Sequence, residues 1–330
     1  MSNQLNWKVQ DLPRQDLQKP DPSKYLLSEG ISAALKVAVA LNQPLLLTGE
    51  PGTGKTQLAH KAAAEFHRMD AGFLPQPLEF HTKTTSSARD LLYHYDAVRH
   101  FHDAGIRDRD VQADEAYIEL SALGKAILLS LPDAERREFQ GRLEDLAPRS
   151  SVVLIDEIDK APRDFPNDLL HEIERLQFSV PEIRGSKPFS RNPQQRIVVI
   201  LTSNSEKNLP EAFLRRCVFY HIPSPTPERL REIIASHLHG PGQTSYAKAE
   251  EFLTGRFLAL RDAVINKRPS TAELLNWVRV LGLEGLLAPI EKAGSFAELS
   301  PAQRETLKRS LSVLVKTTDD IDAAAKSLGL

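Results

Sequence analysis

Gly49-Glu50-Pro51-Gly52-Thr53-Gly54-Lys55-Thr56 fills every fixed position of the pattern G-x-x-x-x-G-K-[ST]. Its flanks carry as much weight as the pattern itself. Pro44-Leu45-Leu46-Leu47-Thr48 precedes it, a short apolar run that reads as a buried strand. Gln57 to His67 follows, rich in Ala, Leu and Lys, and reads as a helix. Strand, glycine-rich loop and helix in that order make a phosphate site. The glycines let backbone N–H groups turn onto a phosphate chain, and the helix N-terminus adds partial positive charge. Lys55 is then placed to neutralise the β and γ phosphates, and the Thr56 hydroxyl to join a Mg²⁺ shell. A chance glycine turn would lack both flanks. The expectation is a nucleoside-triphosphate site with its metal.

A second signal lies about a hundred residues on. Ser151-Val152-Val153-Leu154-Ile155 is an unbroken apolar run ending in Asp156-Glu157. Such runs suit central parallel strands covered on both faces, and open α/β sheets place ligands at strand C-termini. By itself an acidic pair there is a turn; paired with the phosphate loop it reads as the Walker B element. Asp156 would hold the metal shell and Glu157 would orient and deprotonate the attacking water. Arg196-Ile197-Val198-Val199-Ile200-Leu201 repeats the strand signature and ends in Thr202-Ser203-Asn204. Asn204 is therefore a candidate for touching that water or the γ-phosphate. Arg215 and Arg216 fall between an expected helix, 211–214, and an alternating strand through Val218, Tyr220 and Ile222. They either favour a helix dipole or act as an arginine finger on a neighbouring subunit.

These strands, with 78–81 as another, alternate with helices and predict a doubly wound α/β/α sheet. Ile31, Ala34, Leu35, Ala38 and Val39 follow helical spacing ahead of the first strand. Residues 1–24, polar and with three prolines, read as an extended arm. Residues 82–150 read as long, polar and helical, with the charge-dense patch Arg107-Asp108-Arg109-Asp110. At Pro223-Ser224-Pro225-Thr226-Pro227 the character changes to helical, with a helix starting near Pro227 and a capping box at Ser270-Thr271-Ala272-Glu273. The expected division is an arm (1–24), an α/β core (25–223) and an all-helical unit (224–330).

Composition bounds the function. The chain has 330 residues, 41% hydrophobic and 26% charged, with a net charge of −2. That is an ordinary globular composition with no basic footprint, so nucleic acid is disfavoured as a partner. The single cysteine, Cys217, excludes an internal disulfide and a multi-thiolate metal site. No secretory signal or membrane-spanning run is visible, and the expected location is the cytoplasm.

Taken in order, the phosphate loop, the Asp156-Glu157 pair, Asn204 and the arginine pair resemble the AAA+ ATPases, and specifically the MoxR-type group. The MoxR likeness rests on three stretches: 87–96 resembles that group's helix-2 insert (about 82–104), 178–196 its hairpin before the sensor 1 strand, and 214–223 its finger segment. The resemblance implies Asn204 as sensor 1, Arg216 as the favoured finger with Arg215 as the alternative, and residues 224–330 as the lid. It also implies ATP with Mg²⁺, a ring (a hexamer) and a client protein, commonly one with a von Willebrand A domain. Ala272 stands where related chains often carry the lid arginine, with Arg268 either as a substitute or as a solvated linker charge. A DNA-associated motor or restriction-type NTPase is the alternative within AAA+, and a small-molecule phosphotransferase the alternative outside it. The presence of Glu157 beside Asp156 favours water over another acceptor, and no Asn-Lys-x-Asp guanine motif is present. His81, His94, His100 and His102 with Asp96 and Asp103 look like a metal cluster, but their spacing does not suit one helix face. Asp159 and Lys160 are expected in local ion pairs, and Asp164, Asp168 and Glu172 on a helix's wet face.

Overall fold

The computed structural model describes residues 20–105, 114–136, 139, 147–183, 187–205, 209–238, 246–264 and 266–330. The patch at 107–110 and most of the expected arm lie outside the described residues. In chain order the core runs α1 (Glu29–Leu41), β1 (Leu45–Thr48), α2 (Lys55–Met69), β2 (Leu78–His81), β3 (Tyr93–Tyr95), α3 (Ala97–Gly105), β4 (Ile118–Leu120) and α4 (Ala122–Ser130). It continues with β5 (Ser151–Asp156), α5 (Phe165–Arg175), β6 (Gln177–Phe178), β7 (Phe189–Ser190), β8 (Ile197–Thr202), α6 (Glu211–Leu214) and β9 (Val218–His221).

Five of these strands form one parallel sheet in the order β2-β5-β8-β1-β9. β1, β5 and β8 are buried at every position, whereas the edge strands β2 and β9 alternate half-buried and exposed. Burial follows from both faces being covered. The pleat sends Leu46, Val153, Ile155, Val199 and Leu201 into one apolar layer with α4 and α5. Their neighbours Leu45, Leu47, Val152, Leu154 and Ile200 enter the opposite layer with α1 and α2. Because every strand runs the same way, Thr48, His81, Asp156 and Thr202 end on one edge: His81 pairs with Asp156, Leu47 with Thr202 and Thr48 with His221.

Beyond the prolines come α7 (Pro227–Leu238), α8 (Ala247–Ala263), α9 (Thr271–Leu283), α10 (Leu287–Ala293), α11 (Pro301–Ser310) and α12 (Thr318–Leu328). These helices enclose an apolar core of their own, with Phe257, Leu274, Trp277 and Leu307 fully buried. The Trp277 indole N–H donates to Ser310 Oγ at 2.8 Å, so even this core leaves no donor of that ring unmet. The capping box at Ser270 forms as expected: Ser270 N donates to Glu273 Oε2 at 2.8 Å, and Glu273 N returns to Ser270 Oγ.

The stretch 82–150 differs from the expectation. Its described residues are not a polar helical region throughout: β3 and β4 pair antiparallel, Tyr93 opposite Leu120, and α4 is buried along almost its whole length. Polar residues between the elements mask two short strands and an apolar helix. Gly124 lets α4 reach the β3 segment, since a Cβ there would lie 2.0 Å from the Leu92 carbonyl oxygen. The stretch 178–196 holds a hairpin, with Phe178 opposite Phe189. The two chain segments are clamped together: Arg89 and the Tyr93 hydroxyl both bond the Glu182 carboxylate.

Candidate nucleotide site

The phosphate loop leaves β1, the strand at which the winding of the sheet reverses, and enters α2 at Lys55. A crevice outside the strand ends at such a switch point is where open α/β sheets bind ligands. Here it is a cleft of about 1490 Å³, walled by the loop, the ends of β5 and β8, the hinge at 223–226, and helices α7 and α9.

Residues distant in sequence meet in it. Thr56 Oγ1 donates to both carboxylate oxygens of Asp156, at 3.1 and 3.2 Å. Lys55 Nζ donates to the carbonyls of Gly49 (2.8 Å) and Glu50 (3.0 Å) and is buried. Burial pushes the Lys55 ammonium below its usual range, and the carboxylates of Asp159, Asp156 and Glu157 push it back. Asn204 and Glu157 line the same cleft. Asn204 is held by its backbone, whose N–H donates to Asp159 Oδ1 at 3.2 Å. Asp159 therefore accepts from the backbone, and Lys160 pairs with Glu157 itself, Nζ donating to Oε2. Glu157 adopts a left-handed backbone, φ 57°, a conformation that costs a non-glycine residue energy and is held by its surroundings.

The holder is Thr202, a residue that sequence reasoning alone does not single out. Its hydroxyl accepts the Glu157 N–H at 2.9 Å and donates to Asp156 Oδ1. One fully buried side chain thus fixes both members of the acidic pair. A hydroxyl at the end of the strand after the Asp-Glu pair was the available signal, but only the β5–β8 register reveals which hydroxyl faces the pair.

The arginines lie elsewhere. Arg215 pairs with Glu211, and Arg216 Nε lies 3.4 Å from Glu174 Oε1, both on exposed surface. They precede β9 at the end of the sheet where Val218 pairs with Leu45, opposite the edge that carries the cleft. From the helical half, Ala272 stands at the implied lid-arginine position and packs near Gly52, while Arg261 of α8 reaches the loop at Glu50. Gly52, at φ 78°, comes so near that a Cβ would lie 2.7 Å from Ser270 Oγ and 3.3 Å from Ala272 Cβ. Arg268 is not among the cleft-lining residues, whereas Arg229 and Arg279 are. Arg229 is engaged, donating to Leu26 O at 2.7 Å and to Glu232. A strap at 20–27 crosses the cleft, with the Tyr25 ring against Gly54 and its hydroxyl pushed up to about 12 by burial.

The sequence model of the AAA domain (dynein-related subfamily) matches residues 44–217, over half of the chain, from the start of β1 to the arginine pair. The chain belongs to the AAA domain family. The matched residues take in the phosphate loop and strands β1, β2, β5 and β8 of the parallel sheet, and the helices from Pro227 onward lie beyond them. No curated protein matches the chain in sequence. Among solved structures the chain is similar to a point mutant of RuvB from Thermotoga maritima, with 18% identity over 92% of this chain and 81% of that one, and a TM-score of 0.45. It is also similar to katanin, from a structure on its self-assembly (16%, covering 93% and 89%, TM-score 0.42). A third is domain III of the Thermotoga maritima replication initiation protein DnaA (14%, covering 91% and 99%, TM-score 0.44).

The other histidine candidates resolve individually. His100 stacks on Tyr117 at 4.4 Å, His102 lies beside Asp103, and His81 stands 3.7 Å from Asp156. Among the described residues no group of three or more His, Cys, Asp and Glu could hold a metal ion. Of the expected wet face on α5, Asp164 and Asp168 are exposed but Glu172 is half-buried, and desolvation raises its carboxyl. Burial pushes the Cys217 thiol up to about 12, which disfavours its thiolate form.

Proposed function

We propose that this AAA-domain protein hydrolyses ATP as a subunit of a MoxR-type ring and uses the energy to remodel a partner protein. One observation carries the reading: Thr56 and Asp156, a hundred residues apart, share hydrogen bonds beside the buried Lys55. The donors fit Mg²⁺, since a hydroxyl and a carboxylate are hard oxygen ligands for an ion that keeps waters and takes phosphate oxygens. Held by Thr56 and Asp156, Mg²⁺ would offset the negative charge of the phosphates.

The remaining work falls to the chain's own residues. Backbone N–H groups of Gly52 to Thr56 and the α2 N-terminus cradle the phosphates. Lys55 exchanges its two carbonyl acceptors for phosphate oxygens. Glu157, released from Lys160, accepts the proton of the attacking water, and Asn204 orients that water from the neighbouring strand. Arg216, or Arg215, serves the nucleotide of an adjacent subunit. This is supported by their place at the sheet end opposite their own cleft, from which a side chain cannot return past a strand at about 3.3 Å per residue. A ring, a hexamer by resemblance, meets that need. The preference for ATP, a von Willebrand A domain client and a cytoplasmic location follow from resemblance and sequence. No helix among the described residues is long and apolar enough to cross a membrane.

Lys55→Ala is expected to abolish ATP binding in a calorimetric titration; unchanged affinity would refute the site. Glu157→Gln should keep ATP and lose hydrolysis, and a pull-down with that variant in ATP should retain the client. Mixing Arg216→Ala with Lys55→Ala subunits should recover activity that neither has alone. No recovery would remove the trans role.

A further inference from the structure

The position where the resemblance implies a lid arginine holds Ala272, yet the lid touches the phosphate loop through another residue. Glu50, the first variable position of the loop, faces two ways. Its backbone carbonyl accepts from Lys55 Nζ at 3.0 Å, from Thr53 N at 3.3 Å and from Thr53 Oγ1 at 2.8 Å. Its carboxylate Oε2 accepts from Ser224 Oγ in the hinge and from Arg261 Nη2 on α8 of the lid, both at 2.9 Å. Arg261 is itself mostly buried, its side chain 16% exposed, with its guanidinium 6.0 Å from the Phe257 ring. Its direction is therefore set by packing, and the lid holds it against the loop.

We propose that Glu50 is a positioning residue that transmits the state of the phosphate loop to the hinge and lid through Ser224 and Arg261. The proposal rests on the nucleotide-binding reading above. A triphosphate competes for Lys55 Nζ, and Lys55 then releases the Glu50 carbonyl. The segment Glu50 to Thr53 loses one of the donors that fold it back. Its side chain is fastened to two elements of the other half, so that movement is passed to residues 224–227 and to α8. Gly52, packed on Ser270 and Ala272, gives the same movement a steric stop at α9. Coupling then runs through the loop's own backbone and needs no lid arginine on the γ-phosphate. The neighbouring hydroxyl and guanidinium outweigh a partial desolvation and hold the Glu50 carboxyl below its usual range, so it is ionised at neutral pH.

The test is hydrogen exchange of segments 224–238 and 247–263, with and without ATP, in full-length chain carrying Glu157→Gln to stop turnover. ATP should change protection there in the parent. Arg261→Glu should cut that response by about five-fold, the lower range of allosteric coupling, while the lid keeps its melting temperature. The charge-swapped pair Glu50→Arg with Arg261→Glu should return it, which lost packing alone would not do. Arg261→Gln and Ser224→Ala are milder companions, each expected to weaken the response. A full response in Arg261→Glu, or no return in the swapped pair, overturns the proposal. No ATP binding by the parent would overturn the site reading and the coupling with it.

Discussion

Thr202→Val removes a hydroxyl and keeps the side chain's shape, so it isolates one hydrogen-bonded junction. Thr202 is 1% exposed, and no solvent can replace what is lost. Two bonds disappear together: the one from Glu157 N–H at 2.9 Å and the one to Asp156 Oδ1. A buried N–H left without an acceptor costs about 1–3 kcal/mol, and a hydrogen bond to a charged group contributes about 1.5–3 kcal/mol. The sum, about 2.5–6 kcal/mol, is large beside a total stability of roughly 5–15 kcal/mol. At about 2–4 °C per kcal/mol for a domain of this size, the core should melt on the order of 10 °C lower. Thr202→Ser is the control, because it keeps both bonds and loses one buried methyl, about 1 kcal/mol. Differential scanning calorimetry of both variants measures the difference. Turnover should fall in Thr202→Val and persist in Thr202→Ser, since the left-handed turn at Glu157 loses its anchor. A Thr202→Val protein melting within about 2 °C of wild type, with undiminished turnover, would refute the role assigned to this hydroxyl.

Two further outcomes test the fold. Gly124→Ala places a methyl 2.0 Å from the Leu92 carbonyl oxygen, and backbone cannot swing aside as a side chain can; overpacking of this kind should cost about 1–3 kcal/mol or more, read as a lower urea midpoint with an unchanged slope. His237 sits on α7 where the strap crosses, its ring bonded to Ile233 O, with Arg279, Lys24 and Asp21 as the charged groups facing it. Burial depresses its pKa below the ordinary 6.5, so the folded state holds the ring neutral. A base depressed in this way adds stability that is fully present above the unfolded pKa and lost as pH falls through the folded one. Melting temperature should therefore drop as pH falls below about 6.5, and the slope should flatten in His237→Gln; an equal slope in both proteins would exclude this ring as the source.

Much of the core was legible locally. The strands at 45–48, 151–156 and 197–202 are continuous apolar runs because both faces of the central sheet are covered, and burial of that kind writes itself into composition. The stretch 82–150 was not, because β3 and β4 are three residues each and pair across a long intervening segment, Tyr93 with Leu120. Strands that short leave no period to detect.

The candidate site divides along the same line. Lys55, Thr56 and Asp156 stand out in the sequence as candidates because phosphate and metal chemistry calls for those residue types at the ends of strands, and a loop's glycines are a local necessity. Which hydroxyl anchors the acidic pair, which glutamate fastens loop to lid, and that Arg215 and Arg216 stand at the far end of the sheet were settled only by register and packing. Hydrogen bonds between residues 45, 46, 89, 174 and 211 positions apart depend on how strands and helices align in space, and no local property of the chain encodes that alignment.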